Sequence, residues 1–299
     1  LRLSFHQQNS HGKNTPKKEP LFIPLSIAFI GPLGRIGDEK LLVLDKTNQE
    51  FVFRDLPVKS SSPSLSLLRG FSAPIKISTD ISSDELFQLL ELDDDPFARW
   101  EAGQAIMRKI LLSRASGHPS LILESRLSVA LANLFTTLID DSAEFLAKLI
   151  SLPGLPELED LQEIVDPLAL YNSKISLRAF LGKQLAAPLW QLIHRSKAEL
   201  SYSWPHGQGS RKLTAIAWSL LIAADDIDAR EEALLAISGD SMTLSRAALR
   251  ALQPVDCLHR EMALERFYER WKDRPIVLDA WFGLEASTPR KDALKRIRE

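Results

Sequence analysis

The sequence has little that could form covalent cross-links and no long apolar run. Cys257 is the only cysteine among 299 residues, so the chain cannot form an internal disulfide. No stretch approaches the ~18 consecutive apolar residues of a membrane-spanning helix. The formal net charge is −2, with both signs interspersed, which disfavours nucleic acid and anionic membrane surfaces as partners. A reducing compartment, the cytoplasm, is therefore the expected location.

Histidines are also scarce, and their spacing argues against a metal site. They are His6, His11, His118, His194, His206 and His259. No two of them are three or four residues apart, the separation that places two ligands on one face of a helix. Cys257 and His259 are two residues apart and would point about 200° away from each other on a helix. The sequence therefore assigns no catalytic, cofactor-binding or metal-binding residue.

Two short segments resemble catalytic motifs in composition only. Gly207–Lys212 has glycines before a helix start and basic residues after it, as in a phosphate cradle, but it lacks the spacing of either nucleotide fingerprint. We interpret it as a flexible link before a helix capped by Ser210. Asp93–Asp95 could be an acidic catalytic cluster, but carboxylates are also favoured at a helix N-terminus by the helix dipole. We interpret these aspartates as solvated capping residues.

A group of aromatic residues in the helical part could line a binding groove. The group comprises Trp100, Trp190, Trp218, Trp271, Trp281, Phe267, Tyr268 and Phe282. Each of them stands on or beside an apolar stripe, which favours packing in the core. The sequence therefore predicts core positions for these rings.

Residues 1–79 have the pattern of β-strands, with apolar residues at a period of two and clusters of Gly, Pro, Ser and Asn between them. Leu25, Ile27 and Phe29 are expected to share one strand face, and Gly31–Gly34 has the composition of a turn. The predicted strands are residues 1–7, 21–30, 40–45, 49–55 and 74–79. The sequence therefore predicts a small antiparallel β-sandwich domain over residues 1–79.

From residue 80 onward the apolar spacing becomes helical. Ser82 and Glu85 match a capping box, in which each side chain accepts a hydrogen bond from the other residue's backbone. Asp95 and Pro96 match the start of a second helix, where the missing N–H of proline needs no partner. Two helices are therefore predicted to begin close together at the start of this region.

Further helical runs fill the rest of the chain. They are predicted over residues 124–139, 143–151, 158–165, 174–195, 210–224, 230–237, 244–252, 260–272 and 276–286. Pro188 should kink or break the run 174–195 because it lacks a backbone donor. Short connections, at residues 140–141 and 238–240, favour packing of neighbouring helices side by side. Residues 80–299 are therefore predicted to form an all-α superhelix of the ARM or HEAT kind.

Two segments carry a specific resemblance to a known family. Residues 67–76, LLRGFSAPIK, resemble the end of the small β domain of bacterial and plant alanyl aminopeptidases, and residues 97–104, FARWEAGQ, resemble the family's next strong match. Weaker matches occur at residues 49–53, 166–167, 242–243, 271 and 281–282. The chain thus resembles the C-terminal region of aminopeptidase N, a gluzincin zinc metallopeptidase. The Ser-rich run 60–66 and a shortened stretch at 225–240 depart from the family pattern, so loop differences are expected there.

This resemblance implies a four-domain peptidase in which the chain supplies an Ig-like spacer and a helical cap. The zinc ligands, the glutamates that recognise the substrate amine and the tyrosine that stabilises the oxyanion would all precede Leu1. In such enzymes zinc activates a water and a glutamate acts as the base, and peptides lose N-terminal residues one at a time. The chain is therefore expected to be inactive alone. In the intact enzyme, its helical cap is expected to admit short peptides to the active site and to exclude folded proteins.

The expected main partner is the upstream catalytic domain of the same polypeptide. The alternative hypothesis is an independent helical-repeat scaffold that binds proteins through its concave face, and an HExxH helix upstream of Leu1 would favour the first hypothesis over it. The resemblance also implies that the helical domain is incomplete at Glu299. A solenoid that ends early exposes apolar surface, so we expect self-association through that end.

Overall fold

The computed structural model describes residues 1–8, 19–54, 63–138, 142–201 and 205–298. They form two compact units, residues 1–107 and residues 108–299. The first unit contains two antiparallel sheets and the beginning of the helical region. In the described part of the second unit, all regular secondary structure is helical. The predicted fold class, an Ig-like β-sandwich followed by an all-α region, is confirmed.

The strands of the first unit form two small sheets. The strands are β1 (Arg2–His6), β2 (Ile23–Gly31), β3 (Gly34–Leu44), β4 (Asn48–Val52) and β5 (Ser64–Leu67). Strand β1 pairs with β4, and β2 lies between β3 and β5, with every pairing antiparallel. The turn predicted at Gly31–Gly34 joins β2 to β3, and Gly34 has a φ of +100°, a conformation that favours glycine.

Strand β2 is buried on both faces. Leu25, Ile27 and Phe29 share one face, as predicted, and pack with partly buried residues of β1 and β4 in the sandwich core. The rings of Phe29 and Phe53 are 5.1 Å apart. On the β2 backbone, the Ile30 carbonyl accepts a hydrogen bond of 3.1 Å from the Gln88 amide of the first helix. The core of this unit is therefore built around a single central strand.

The strand predicted at residues 74–79 is wrong, because those residues form no strand and most of them are exposed. Both edges of β2 are already occupied by β3 and β5, so this segment finds no partner in the central sheet. The edge of β2 opposite β3 is occupied by strand β5, which begins inside the Ser-rich run that was expected to be a loop. Residues 60–62 of that run lie outside the described part. Its Ser64 and Ser66 are fully buried, and the Ser64 hydroxyl donates to Gln88 Oε1 at 2.7 Å.

The rest of the described chain is helical. The helices are α1 (Ser83–Leu92), α2 (Pro96–Ala115), α3 (Leu121–Thr137), α4 (Ala143–Ile150), α5 (Leu155–Glu159), α6 (Pro167–Gln184), α7 (Ala186–Ser196), α8 (Gln208–Ala223), α9 (Ile227–Ile237), α10 (Met242–Leu252), α11 (Leu258–Trp271), α12 (Pro275–Ser287) and α13 (Ala293–Arg298). None of the helices in these ranges combines the length and the apolarity that a bilayer crossing requires.

The first two helices begin as the sequence predicts. The Glu85 amide donates to the Ser82 hydroxyl at 3.2 Å, and the Ser82 amide donates to the Glu85 carboxylate at 2.9 Å, which completes the capping box. The Asp95 carboxylate accepts from the Ala98 amide at 2.8 Å at the start of α2. Both capping predictions are confirmed.

The break predicted in the run 174–195 occurs at Leu185, between α6 and α7. Pro188 lies in the first turn of α7, where a missing N–H is tolerated. The helix predicted at residues 158–165 is wrong, because α5 ends at Glu159. Asp166, which precedes Pro167 and caps α6, has an extended conformation, so a helix could not run through it into α6.

Helix α8 is the centre of the second unit and packs against α4, α6, α7, α9 and α10. Its approach to α6 depends on Gly182, where a Cβ atom would lie 1.9 Å from the carbonyl oxygen of Leu220. Residues 238–240 connect α9 to α10 as predicted, and the connection predicted at residues 140–141 lies outside the described residues. Close contact between helices is therefore built into the sequence at α6 and α8.

Candidate functional site

A buried ion cluster surrounds Arg69 in the first unit. Its guanidinium bonds to Glu39 (Nε–Oε2, 2.8 Å), Asp93 (Nη1–Oδ1, 2.5 Å) and Asp94 (Nη2–Oδ1, 2.5 Å). The side chains of Arg69 and Asp93 are only 4% and 0% exposed. Arg69 therefore ties strand β3 and the turn after β5 to the segment between α1 and α2.

This cluster corrects the interpretation of the three aspartates as solvated capping residues. Asp95 does cap α2, but Asp93 is fully buried and Asp94 bonds to both Arg69 and Arg35. Burial raises the pKa of Asp94, but the hydrogen bond and charge of Arg69 outweigh this effect and lower it. Arg69 precedes the aspartates by more than 20 residues, so their spacing in the sequence does not reveal it. The acidic run is thus neutralised by arginines in a structural cluster.

The glycine-rich segment Gly207–Lys212 lies beside a cavity of about 540 Å³ in the second unit. A Cβ atom on Gly207 would lie 2.2 Å from the Glu199 carbonyl oxygen, and one on Gly209 would lie 2.7 Å from the Glu144 amide nitrogen. Ser210 lies inside α8, and its buried hydroxyl donates to the Glu199 carboxylate. The predicted flexible link with a Ser210 cap is therefore wrong, because the glycines serve close packing of α8.

The charges around this cavity are mixed, which differs from a phosphate cradle. The side chains of Glu144 and Glu199 line it together with Arg195. The Glu144 carboxylate lies 3.5 Å from Lys148 Nζ and 4.0 Å from Lys212 Nζ, so it attracts basic side chains of both α4 and α8. Two carboxylates beside a helix N-terminus would repel an anion that the amides attract. The charges of the side chains around this cavity therefore do not match those of a phosphate cradle.

Within the described ranges, no group of three or more His, Cys, Asp or Glu side chains is arranged to hold a metal ion. His6 hydrogen-bonds to Asn48 at 2.8 Å, and the ring of His194 stacks on Trp190 at 5.6 Å. Cys257 precedes α11 and is partly exposed. His11 lies outside the described residues. None of the described donors named here belongs to a group of three that could hold zinc.

The aromatic group divides between core and surface. Trp218 and Phe267 are buried, as predicted. Tyr268 and Phe282 are exposed by 36% and 55%, so the prediction of core positions is wrong for both. The ring of Trp281 lies 5.0 Å from Tyr268 and 5.3 Å from Phe282. A ring beside an apolar stripe can face the core or the solvent, and its position in the sequence does not show which.

A cationic pair on α6 is the feature that sequence reasoning missed. Lys174 and Arg178 are one helical turn apart and both are partly buried. The Lys174 ammonium donates to the Pro153 carbonyl at 2.7 Å. A signal was available, because α6 contains no Asp or Glu to balance these charges. This pair can attract an anion.

Comparison with known proteins places two consecutive parts of the chain in known families. Residues 1–80 match the family described as a domain of unknown function (DUF3458) with an Ig-like fold. Residues 83–299 match the family described as a domain of unknown function (DUF3458_C) with ARM repeats. The two matches follow each other in the order of the strand-rich and helix-rich parts of the chain.

The chain is also similar to named aminopeptidases. It is 34% identical to aminopeptidase N of Caulobacter vibrioides over 91% of this chain and 31% of that protein. It is 26% identical to aminopeptidase N of Escherichia coli over 99% of this chain and 35% of that protein.

A solved structure extends the similarity to the fold. The crystal structure of Legionella pneumophila aminopeptidase A in complex with aspartic acid matches with a TM-score of 0.76 and 25% identity, over 92% of this chain and 33% of that one. The chain thus spans about a third of the length of these relatives. The resemblance to aminopeptidase N is confirmed, and the chain belongs to the DUF3458_C family of ARM-repeat domains, preceded by the Ig-like DUF3458 domain.

Proposed function

We propose that this chain is the noncatalytic C-terminal region of a zinc-dependent aminopeptidase that removes N-terminal residues from peptides. The observation that carries the proposal is the coverage, because nearly the whole chain aligns with only 35% of the Escherichia coli enzyme. The described residues also offer no donor set that fits zinc. We therefore assign the zinc and the peptide-cleaving groups to another part of a longer polypeptide, and no catalytic or metal-binding residue to this chain.

Within that protein, residues 1–79 would act as a spacer and residues 80–299 as a cap that restricts access to the active site. The packing of the second unit supports this role, because each helix from α6 to α13 contacts the next helix along the chain. Such neighbour-to-neighbour packing is typical of solenoids, which present extended curved surfaces. A cap of this kind would admit short peptides and exclude folded proteins, a role in peptide catabolism that suits the cytoplasm.

The last two helices carry an apolar surface that we propose supports self-association of the isolated chain. Ile276 is 89% exposed, and Phe282, Leu294 and Ile297 are exposed by more than half. Exposed apolar groups of this size mark contact surfaces in soluble proteins. Light scattering of the chain should show a mass that rises with concentration, and the change Phe282→Ser should reduce that rise. A constant monomer mass at high concentration would contradict the proposal.

The test of the main proposal compares the parent open reading frame with this chain. Both proteins are assayed for release of a chromophore from alanyl arylamides, with and without a chelator. Activity of the parent alone, lost on chelation and restored by zinc, is the expected result. Activity of this chain would show that it contains a catalytic site, and inactivity of both would favour an independent scaffold.

A further inference from the structure

Three side chains on α6 share one face of the helix. Tyr171, Lys174 and Arg178 stand at positions i, i+3 and i+7, a spacing that aligns side chains along a helix. All three are partly buried, so they remain accessible from solvent at one side. The neighbouring residues Ser173 and Leu177 are buried against the rest of the unit. The three polar groups thus line the border between the core and the surface of α6.

Within the described ranges, the cations on this face form no ion pair with a carboxylate. The Lys174 ammonium has three donors, and its one hydrogen bond in the described chain is to the neutral Pro153 carbonyl. Arg178 makes no hydrogen bond and no ion pair with any described residue. Burial lowers the pKa of the Arg178 guanidinium, while the nearby Tyr171 acts in the opposite direction. Burial also lowers the pKa of Lys174, and the charge of Arg178 adds to this effect. The two cations therefore lie close enough to repel each other.

The one described acidic residue that acts on Lys174 already has a cationic partner. Glu157 is the acidic group that attracts Lys174, but its carboxylate is already bonded to Arg108 Nη1 at 2.6 Å. Among the described residues, the Glu157 carboxylate that acts on Lys174 is therefore shared with Arg108. Holding like charges together in partly buried positions is unfavourable, and an anion that joins them offsets this cost. A structural arginine in this chain, Arg69, is by contrast surrounded by three carboxylates.

We infer that Tyr171, Lys174 and Arg178 form a binding site for a carboxylate group carried by a peptide. The Arg178 guanidinium presents a planar fork that matches the two oxygens of a carboxylate, and Lys174 adds a compact charge with free donors. The Tyr171 hydroxyl can donate a further hydrogen bond. The choice of a peptide as the carrier rests on the proposed function. Either a C-terminal carboxylate or an acidic side chain supplies the required chemistry.

Binding to the present chain tests this site without any assay of peptide cleavage. Acetyl-trialanine with a free C-terminus and its C-terminal amide are titrated into the protein by calorimetry or NMR. The acetyl group removes the free amine, so neither peptide depends on the groups that recognise an N-terminus. We expect the free acid to bind at least about tenfold more tightly than the amide, because charge-assisted hydrogen bonds are lost in the amide. Equal affinity of the two peptides would overturn the inference.

Two further ligands identify the source of the carboxylate. Acetyl-Ala-Asp-Ala-amide offers only a side-chain carboxylate, and inorganic phosphate offers an anion without a peptide. Binding of either carboxylate peptide supports the site, and the tighter one names its source. Binding of phosphate alone would overturn the assignment to peptides.

Matched variants locate the binding on α6. Arg178→Met and Lys174→Met should each weaken binding of the free acid by about tenfold, and Arg178→Lys should weaken it less, because it retains the charge without the fork. Lys183→Met removes an exposed cation of the same helix and should leave binding unchanged. Equal loss in Lys183→Met would show nonspecific attraction and would overturn the site. Carboxylate binding by a chain whose parent is inactive would support the site and reject only the proposed function.

Discussion

Two arginines of this protein, one in each unit, are buried or partly buried, and among the described residues only one of them is paired with carboxylates. In the first unit, Arg69 is bonded to Glu39, Asp93 and Asp94. In the second unit, Arg178 is partly buried and has no hydrogen bond or ion pair among the described residues. The contrast separates a cation that holds the fold together from one that is left available to a ligand.

The environment of each charge explains the difference. The carboxylates around Arg69 raise its pKa despite the opposing effect of burial, so the folded state favours the cation. The pKa of Arg178 is lowered instead, because burial is not offset by an acidic neighbour. A fold retains such a group at a cost in stability, which is a frequent property of binding sites. The lowered pKa of Arg178 accords with the charges around α6, where Glu157 is already bonded to Arg108.

The largest effect is expected from breaking the Arg69 cluster. Arg69→Met should lower the free energy of unfolding by about 3–5 kcal/mol, because it leaves the fully buried Asp93 without its cation. Urea denaturation followed by circular dichroism measures this change. Arg35→Met is the matched control, since Arg35 and Asp94 form a partly exposed pair that should contribute at most about 1 kcal/mol. Equal effects of the two changes would show that burial does not set the strength of this cluster.

Acidification should weaken the same cluster more gently. Hydrogen bonds from Ser26 and Arg69 lower the pKa of Glu39, and Arg69 lowers that of Asp94 against the effect of burial. Groups with a lowered pKa stabilise the fold above their unfolded pKa of about 4, and this contribution is lost as the pH falls through the folded value. Both carboxylates are about half exposed, so the effect is screened by solvent.

The measurement is the urea midpoint of the wild type and of Arg69→Met between about pH 6 and pH 3. We expect a steeper loss of stability in the wild type, because only there does protonation cost the carboxylates their interaction with Arg69. Parallel curves for the two proteins would mean that Arg69 does not couple to these carboxylates.

The sequence predicts the local parts of both regions better than their long-range contacts. The capping box of Ser82 and Glu85 and the break before Pro188 depend on residues a few positions apart, and both predictions are confirmed. Burial of Asp93 depends on Arg69, which lies in another element, and the strand at Ser64–Leu67 depends on a free edge of β2. Long-range partners of this kind are invisible to spacing and periodicity.

The cationic pair on α6, by contrast, can be recognised from residue spacing in the sequence. A helix of 18 residues with two cations one turn apart and no acidic residue has unbalanced charge whatever surrounds it. The sequence therefore indicates a candidate anion site at Lys174 and Arg178. Only the fold shows that both side chains are partly buried and that Glu157 is already engaged by Arg108.

The smallest effect is expected from removing the Arg178 charge. Arg178→Met keeps most of the apolar stem and ends both the desolvation of the guanidinium and its repulsion of Lys174. The free energy of unfolding should therefore stay unchanged or rise by up to about 1 kcal/mol, with Lys183→Met as the exposed control. A loss of more than about 1 kcal/mol in Arg178→Met alone would mean that Arg178 holds the fold as Arg69 does. That result would remove the contrast between the two arginines, because Arg178 would then stabilise the protein without a ligand, as Arg69 does.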